Sequence, residues 1–352
     1  MSERFYESAG CSRPARRRRP AWRAASAGLG AVLCLSTGCG ESGSPPANAP
    51  RTSIDPRTAD AAAQAVESYL TGQRIAEAVT VAEKFAAEAP GLMRSQELLG
   101  RALVAQAMDE ATPAAERDAI MRRAADAYDA ATRIDPRNAP LAHAAGVVCD
   151  TAGLHDRAAD HYAAAHAQDP RHAQYALYLA LARARQGRTD EARTLAEAAE
   201  AAMPESPDPK AALADLAVRS NDLERALAKV REARALDPSS NGLRLADARI
   251  RRMAGRPEEA LELLVPLDPP VRRAPGYADE LAAAYAATGR LREAAQAMEE
   301  SAVMRPGDAM RALRTAKAWR DAGDPIKSSI WIETATLAGA PADEVAKALG
   351  TP

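Results

Sequence analysis

Apolar and small residues recur along this chain of 352 residues with a spacing of 34. Each period carries one residue that tolerates a positive φ angle, which is typical of a left-handed turn between two short helices. These turn positions are Gly153, Gly187, Asn221, Gly255, Gly289 and Gly323. A small side chain follows five residues after each turn, at Ala158, Ala192, Ala226, Ala260, Ala294 and Ser328. Because apolar and polar residues nowhere alternate in a sustained run, the pattern predicts closely crossing helix pairs and no strands.

This pattern resembles the tetratricopeptide repeat (TPR), a helix-turn-helix unit of about 34 residues with the signature Leu-Gly-x-x-Tyr, then Ala-x-x-x-Phe, then Pro. One unit matches it with Gly146, Cys149, Gly153, Ala158, Tyr162, Ala165 and Pro170. Another matches with Leu281, Ala282, Tyr285, Gly289, Ala294, Met298 and Pro306. The resemblance covers about residues 59 to 341. It implies an all-α, right-handed TPR-type α-solenoid of about eight units with a concave inner surface.

Two irregular units are predicted over residues 59–136, closed by Pro90 and Pro136. The spacing of these prolines is 46, which exceeds the period and places an insert in the second unit. Thr112 and Pro113 within the insert indicate a helix start, because proline is tolerated in a first turn. A lengthened helix pair or a protruding loop would accommodate the extra residues.

Six regular units are predicted over residues 137–340. The unit that contains Gly255 departs from the pattern, because Asp247 and Arg251 occupy positions where apolar groups are expected, and Arg272 replaces the closing proline. We therefore expect a bend or an irregular packing step in that unit. Residues 341–352 predict a C-terminal capping helix with acidic groups in its first turn, where the helix dipole favours them.

Residues 1–38 have the layout of a secretory signal peptide. Arginines 13, 16–19 and 23 precede an apolar stretch from Ala24 to Leu35, which is too short to span a bilayer comfortably. The stretch ends Leu35-Ser36-Thr37-Gly38-Cys39 and looks like a bacterial lipoprotein signal. The resemblance implies that Cys39 becomes the amino terminus and carries an acyl lipid such as palmitate. The alternative is a simple anchor or cleaved signal in which this cysteine is incidental.

Residues 39–58 predict a polar, flexible tether between the lipid and the repeats. By resemblance to enterobacterial lipoproteins, Gly40 after the cysteine favours the outer membrane, with the protein facing the periplasm; the extracytoplasmic face of the plasma membrane is the other location. The chain without its signal has 39 basic and 46 acidic residues, a net charge near −7. This balance disfavours nucleic acid as a partner.

The TPR resemblance places the first helix of every unit on the concave face. The basic residues projected onto that face are Arg185, Arg219, Arg249, Arg252, Lys317 and Arg320. The acidic residues that share it are Asp150, Asp215, Asp279 and Asp321. We hypothesise that these cations bind carboxylates of an extended protein or peptide segment, since guanidinium groups pair with them bidentately. In the alternative interpretation they are solvated groups balanced by the nearby aspartates.

All five histidines lie within about thirty residues, at positions 143, 155, 161, 166 and 172. No two of them are three or four residues apart, the spacing that would place two imidazoles on one helix face, so no metal site is predicted. Cys149 is interpreted as a small buried hydrophobe rather than a nucleophile.

The sequence contains no catalytic or cofactor-binding motif that we recognise, and an enzyme is not predicted. The favoured function is a lipid-anchored TPR adaptor that binds partner proteins at a bacterial envelope membrane. The alternative is an architectural protein that assembles with copies of itself and leaves its groove empty.

Overall fold

The computed structural model describes residues 54–349, so the predicted signal peptide, Cys39 and most of the tether lie outside the described residues. Within this range the chain forms helices joined by turns and short loops. The helices are α1 (Pro56–Thr71), α2 (Ile75–Glu88), α3 (Met93–Met108), α4 (Ala114–Ile134), α5 (Ala139–Thr151), α6 (His155–Gln168), α7 (Ala173–Arg185), α8 (Thr189–Ala202), α9 (Pro207–Arg219), α10 (Leu223–Leu236), α11 (Asn241–Met253), α12 (Pro257–Leu264), α13 (Pro269–Arg272), α14 (Pro275–Ala287), α15 (Leu291–Val303), α16 (Ala309–Asp321), α17 (Pro325–Leu337) and α18 (Ala342–Leu349).

Sixteen of these helices form eight consecutive pairs, each packed on the next. The pairs are α1–α2, α3–α4, α5–α6, α7–α8, α9–α10, α11–α12, α14–α15 and α16–α17. Helix α18 packs on α16 and α17 and closes the array. Between residues 54 and 349 there is no strand. The prediction of an all-α solenoid of about eight units with a C-terminal cap is confirmed.

The predicted left-handed turns are present at all six positions of the register. The five glycines have φ angles of 74° to 76°, and Asn221 has a φ of 57°. A seventh turn of this kind joins α1 to α2 at Gln73, where φ is 58°. The sequence pattern missed this position because the longer second unit shifts it out of the repeat register.

The second unit accommodates its extra residues by lengthening its helices. Helix α4 has 21 residues, against 14 in α6 and α8. Pro113 caps α4, and the side chain of Arg117 donates to the Thr112 carbonyl at 3.0 Å, which ties the first turn of the helix to the preceding loop. Of the two arrangements expected from the sequence, the lengthened helix pair is the one found.

The unit that contains Gly255 is irregular, as expected. Its second helix α12 has only eight residues. The prolines at 266, 269 and 270 follow it closely, and proline cannot continue a helix without losing a hydrogen bond. In the first helix of the same unit Asp247 is completely buried and forms ion pairs with Arg251 and with Arg234 of the preceding unit. These two arginines balance the negative charge that Asp247 brings to a position where an apolar residue is expected.

Within a unit, the two helices approach most closely where a glycine of the first faces an aromatic ring of the second. A Cβ atom at Gly146 would lie 2.5 Å from the Tyr162 ring, and one at Gly100 would lie 2.6 Å from the Tyr128 ring. Both tyrosines are buried. The glycines therefore set the distance between the helices of these two pairs.

None of the helices between residues 54 and 349 combines the length and the apolar character that crossing a lipid bilayer requires.

Candidate functional site

The first helices of the units lie on the inner side of the curved array. First helices of neighbouring units contact each other, as in the pairs α1–α3, α7–α9 and α11–α14, whereas successive second helices have fewer contacts. Helices on the inner side of a curve are closer together than those on the outer side. Exposed side chains of the first helices therefore line the concave face.

Two of the predicted groove cations are paired with carboxylates of their own chain. Arg185 hydrogen-bonds both oxygens of Asp150 in the preceding unit, and its Nη2–Oδ2 distance is 2.8 Å. Arg219 donates to Asp215 one turn earlier in the same helix, with an Nε–Oδ2 distance of 2.7 Å. Both ion pairs lie on first helices. In each of them a carboxylate of the chain itself neutralises an arginine that was predicted to bind a ligand carboxylate.

Two further cations of the predicted set also have partners. Arg252 forms an ion pair with Glu280 of the next unit, whose side chain is largely buried. Arg320 donates to the Ala348 carbonyl of the capping helix at 2.6 Å and lies 3.9 Å from the Asp321 carboxylate. Arg320 thus connects the last unit to its cap.

The remaining two cations, Arg249 and Lys317, are exposed and form no hydrogen bond or ion pair with any described residue. Arg249 lies on α11 and Lys317 on α16, so the first helix of one unit, α14, separates them. The spacing of the two positions along the chain is twice the repeat length. They consequently occupy equivalent positions in the sixth and eighth units.

Arg311 is a buried cation that the sequence did not single out. Its side chain is 3% exposed and hydrogen-bonds Asp279 in the preceding unit and the Ser301 hydroxyl, both Nη1 distances being 3.1 Å. The exposed Arg314 also approaches Asp279, at 3.5 Å. The carboxylate of Asp279, which was predicted on the concave face, therefore already has two arginine partners in the last unit.

An aromatic group lies between the third and fourth units. The His143 ring lies 4.7 Å from that of Tyr178 and 5.1 Å from that of Tyr175, and Tyr178 lies 5.3 Å from Tyr162. Burial, assisted by the neighbouring His172, lowers the pKa of His143 to about 4, so this imidazole is neutral at pH 7. His172 itself stacks on Tyr175 at 3.9 Å. These rings form a packed contact between units.

One of the five histidines meets two other candidate ligands. Asp129, Cys149 and His161 come from α4, α5 and α6, and their ligand atoms lie within 4.8 Å of one another. The Asp129 carboxylate accepts from His161 Nε2 at 2.7 Å and also pairs with Arg157. The spacing of residues along one helix cannot reveal a group that is assembled from three helices.

In this group the two oxygens of the Asp129 carboxylate have different partners, because His161 and Cys149 face Oδ1 and the Arg157 guanidinium pairs with Oδ2. Burial, together with the negative charge of Asp129, raises the pKa of the Cys149 thiol to about 12. A thiol with that pKa is protonated at pH 7 and is not a nucleophile in that form. The arrangement is an ion-paired contact that joins the second and third units.

We expect Cys149 to resist alkylation in the folded protein. With iodoacetamide at pH 8, the tryptic peptide that contains Cys149 should stay unmodified for hours, and it should react within minutes in 8 M urea, because thiolate is the reacting species. Peptide mass spectrometry measures both rates. Rapid modification without urea would contradict the buried, protonated thiol.

One cavity lies between the fourth and fifth units, with a volume of about 220 Å³. Its lining residues are Arg193, Leu213, Ala217, Ser220, Asp222 and Arg225. Arg225 pairs with Glu197 at 2.7 Å, and Arg193 lies 3.5 Å from Asp190. Its two cations therefore already have carboxylate partners.

No protein-family model matches the sequence, and no curated protein matches it. Solved structures are similar to it in fold. The crystal structure of the APC/C hetero-tetramer Cut9–Hcn1 superposes with a TM-score of 0.54 at 12% identity, over 85% of this chain and 57% of the other. A tetratricopeptide repeat protein from Parabacteroides merdae superposes with a TM-score of 0.50 at 16% identity, over 71% of this chain and 97% of the other.

These similarities apply to architecture. The chain spans little more than half the length of the Cut9–Hcn1 chain, and both identities are low. The paired helices, the left-handed turns and the glycine-to-tyrosine contacts are features of the same repeat. This protein has the fold of a TPR solenoid.

Proposed function

We propose that this protein is a lipid-anchored TPR adaptor that binds a partner protein along its concave face at a bacterial envelope membrane. The observation that carries the proposal is the pair Arg249 and Lys317, two exposed cations that have no partner among the described residues and occupy equivalent positions of the concave face. An extended segment with two acidic groups would match them. Desolvated charge pairs of this kind fix the register of a bound segment.

Arg185, Arg219 and Arg252 are paired within the chain, which reduces the number of predicted groove cations that are available to a ligand. A ligand carboxylate at one of these positions would have to displace a carboxylate already in place, which cancels most of the gain. At Arg249 or Lys317 it would displace only water. The proposed ligand contacts are therefore these two residues rather than all six.

The proposal is tested by crosslinking and mass spectrometry of the full-length protein in its native membranes. We expect a defined partner to be crosslinked to the wild type and lost when Arg249 and Lys317 are both replaced by glutamate. Arg231→Glu is the matched control, because Arg231 is an exposed arginine on a second helix and has no partner among the described residues. A partner retained by the double variant would refute the groove contacts.

Self-assembly is the second outcome that the experiment can report. If all samples yield only crosslinks between copies of this chain, the architectural alternative replaces the adaptor. The groove would then have no ligand, and the double variant would behave like the wild type.

The proposed anchor has its own test, which does not depend on any partner. Cells grown with an alkyne-labelled fatty acid should label the wild-type protein and leave a Cys39→Ser variant unlabelled. Equal labelling of the two would exclude Cys39 as the acylated residue. An unlabelled wild type would exclude acylation altogether.

A further inference from the structure

The exposed large apolar side chains of the described residues all belong to the C-terminal part of the array. They are Leu236, Met253, Val265, Leu291, Val303, Met304, Met310, Ile326, Ile330 and Leu337. Scattered single exposures are ordinary in soluble proteins. The exposed side chains of the last pair of helices are not scattered.

Helix α17 carries a continuous apolar stripe. Ile326, Ile330 and Leu337 are spaced by four and seven residues, which places them on one face of an α-helix. Their exposed fractions are 74%, 54% and 83%. Val303, one repeat length before Leu337, is the equivalent residue of the neighbouring second helix and is 64% exposed. We call Ile326, Ile330 and Leu337 the α17 stripe. Val303 extends the exposed apolar surface from this stripe onto α15.

The same three positions are mostly small or polar in preceding units with a full-length second helix. They hold Asp156, Asp160 and Ala167 in the third unit, Asp190, Thr194 and Ala201 in the fourth, Glu224, Ala228 and Ala235 in the fifth, and Arg292, Gln296 and Val303 in the seventh. The outer face of a second helix in these units is thus built for water. Only in the last unit do all three positions become large and apolar.

A single charge lies within the stripe. Glu333, one turn from Ile330 on the same face, is exposed and forms no ion pair or hydrogen bond with any described residue. Lys327 on the same helix is already bound to Glu299 at 3.0 Å and lies 3.9 Å from the centre of the Trp319 ring. The stripe therefore presents apolar groups and one negative charge that has no positive partner among the described residues.

This charge distinguishes between the possible occupants. If two copies packed α17 against α17 antiparallel about a two-fold axis, the two Glu333 carboxylates would lie close to that axis and repel each other. An anionic lipid surface would repel Glu333 as well. A helix that presents apolar residues to the stripe and a lysine or arginine to Glu333 would satisfy every group.

We propose that the α17 stripe is a docking surface for an amphipathic helix of another protein that carries a basic residue opposite Glu333. The surface is formed by second helices, so it is separate from the concave face formed by first helices. A protein that used both would hold two partners at once.

The test places a photo-crosslinking amino acid, p-benzoylphenylalanine, at position 330 of the full-length chain in its native cells. The matched control carries it at Gln296, the equivalent exposed position of the preceding unit. Mass spectrometry identifies the crosslinked segment. A synthetic peptide of that segment is then titrated against the purified protein by fluorescence anisotropy.

We expect crosslinks at position 330, well above those at 296, to a segment of another protein with apolar residues at helical spacing and a lysine or arginine. Glu333→Lys should weaken binding of the synthetic peptide at least about tenfold, and replacing the peptide's basic residue by glutamate should restore it. Ile330 and Glu333 are both exposed, so a substitution at either position should leave the protein folded.

Several results would overturn the proposal. Crosslinks to α17 of a second copy would identify a dimer interface instead, and adducts with lipid would identify a membrane contact. Equal yields at 330 and 296, or binding unaffected by Glu333→Lys, would show that the stripe has no such partner.

Discussion

Replacing Asp247 with alanine is expected to lower the free energy of unfolding by about 3–5 kcal/mol, the range found when one partner of a buried ion pair is removed. The carboxylate is fully buried and is shared by Arg251, at an Nε–Oδ1 distance of 2.7 Å, and Arg234. Its removal leaves the Arg234 guanidinium without a carboxylate partner among the described residues and leaves Arg251 with Glu259 alone. Urea-induced unfolding, followed by circular dichroism, measures the loss.

Asp215→Ala is the matched control for this substitution. Asp215 and Arg219 have the same separation of four residues and the same 2.7 Å distance, but their side chains are 54% and 46% exposed. An exposed pair contributes only about 0–1 kcal/mol. If the two variants lost equal stability, burial could not be the reason for the effect at Asp247.

Gly146→Ala is expected to destabilise the protein by about 1–3 kcal/mol, the usual cost of overpacking a core. In an unobstructed helix the same change would stabilise the protein by roughly 0.5–1 kcal/mol. A loss of stability instead of a gain would therefore show that the added methyl group clashes with Tyr162. The added methyl group would lie 2.5 Å from the ring of Tyr162, which is buried and cannot move outward without opening the helix pair.

Two further variants separate crowding from helix propensity. Gly242→Ala adds the same methyl group in α11, where the nearest atom is 3.7 Å away, and should leave stability unchanged or slightly raised. Combining Gly146→Ala with Tyr162→Leu should cost less than the sum of the two single changes, because the smaller side chain removes the clash. Strict additivity in thermal unfolding would argue against the contact.

The architecture could be predicted from the sequence because each unit repeats the same local constraints. The glycines and Asn221 of the repeat register mark positions that require a positive φ, and the structure has that conformation at every one. Gln73 has it too, although a glutamine is not a turn signal and the second unit breaks the spacing. A turn residue can be recognised from its own side chain. Its place in the 34-residue register depends instead on the length of every unit between it and the other turns.

The charged contacts could not be predicted in the same way, because most join residues of different units. Asp247 stood out as a polar residue at a core position, but its partner Arg234 belongs to the previous helix pair. Arg185 and Asp150, which are 35 residues apart, were both assigned to the concave face, but the sequence did not show that they pair with each other. Projection onto a repeat gives the face of a side chain and not the neighbour that it pairs with.

The α17 stripe is visible in the sequence at positions outside the repeat pattern. That pattern consists of the positions that agree between units, since agreement defines the fold. Ile326, Ile330 and Leu337 are positions that disagree with the earlier units. A comparison by register at the exposed positions identifies them without any coordinates.

The length of α4 has a consequence for the outer face of the array, which the second helices form. A perfectly periodic surface has translational symmetry, so a segment placed on it could shift by one unit and find nearly the same contacts. Helix α4 has 21 residues where α6 has 14, and seven added residues extend a helix by about 10 Å. Together with the eight-residue α12, this difference breaks the translational symmetry of the outer face, so a shift by one unit along it would not restore the same surface.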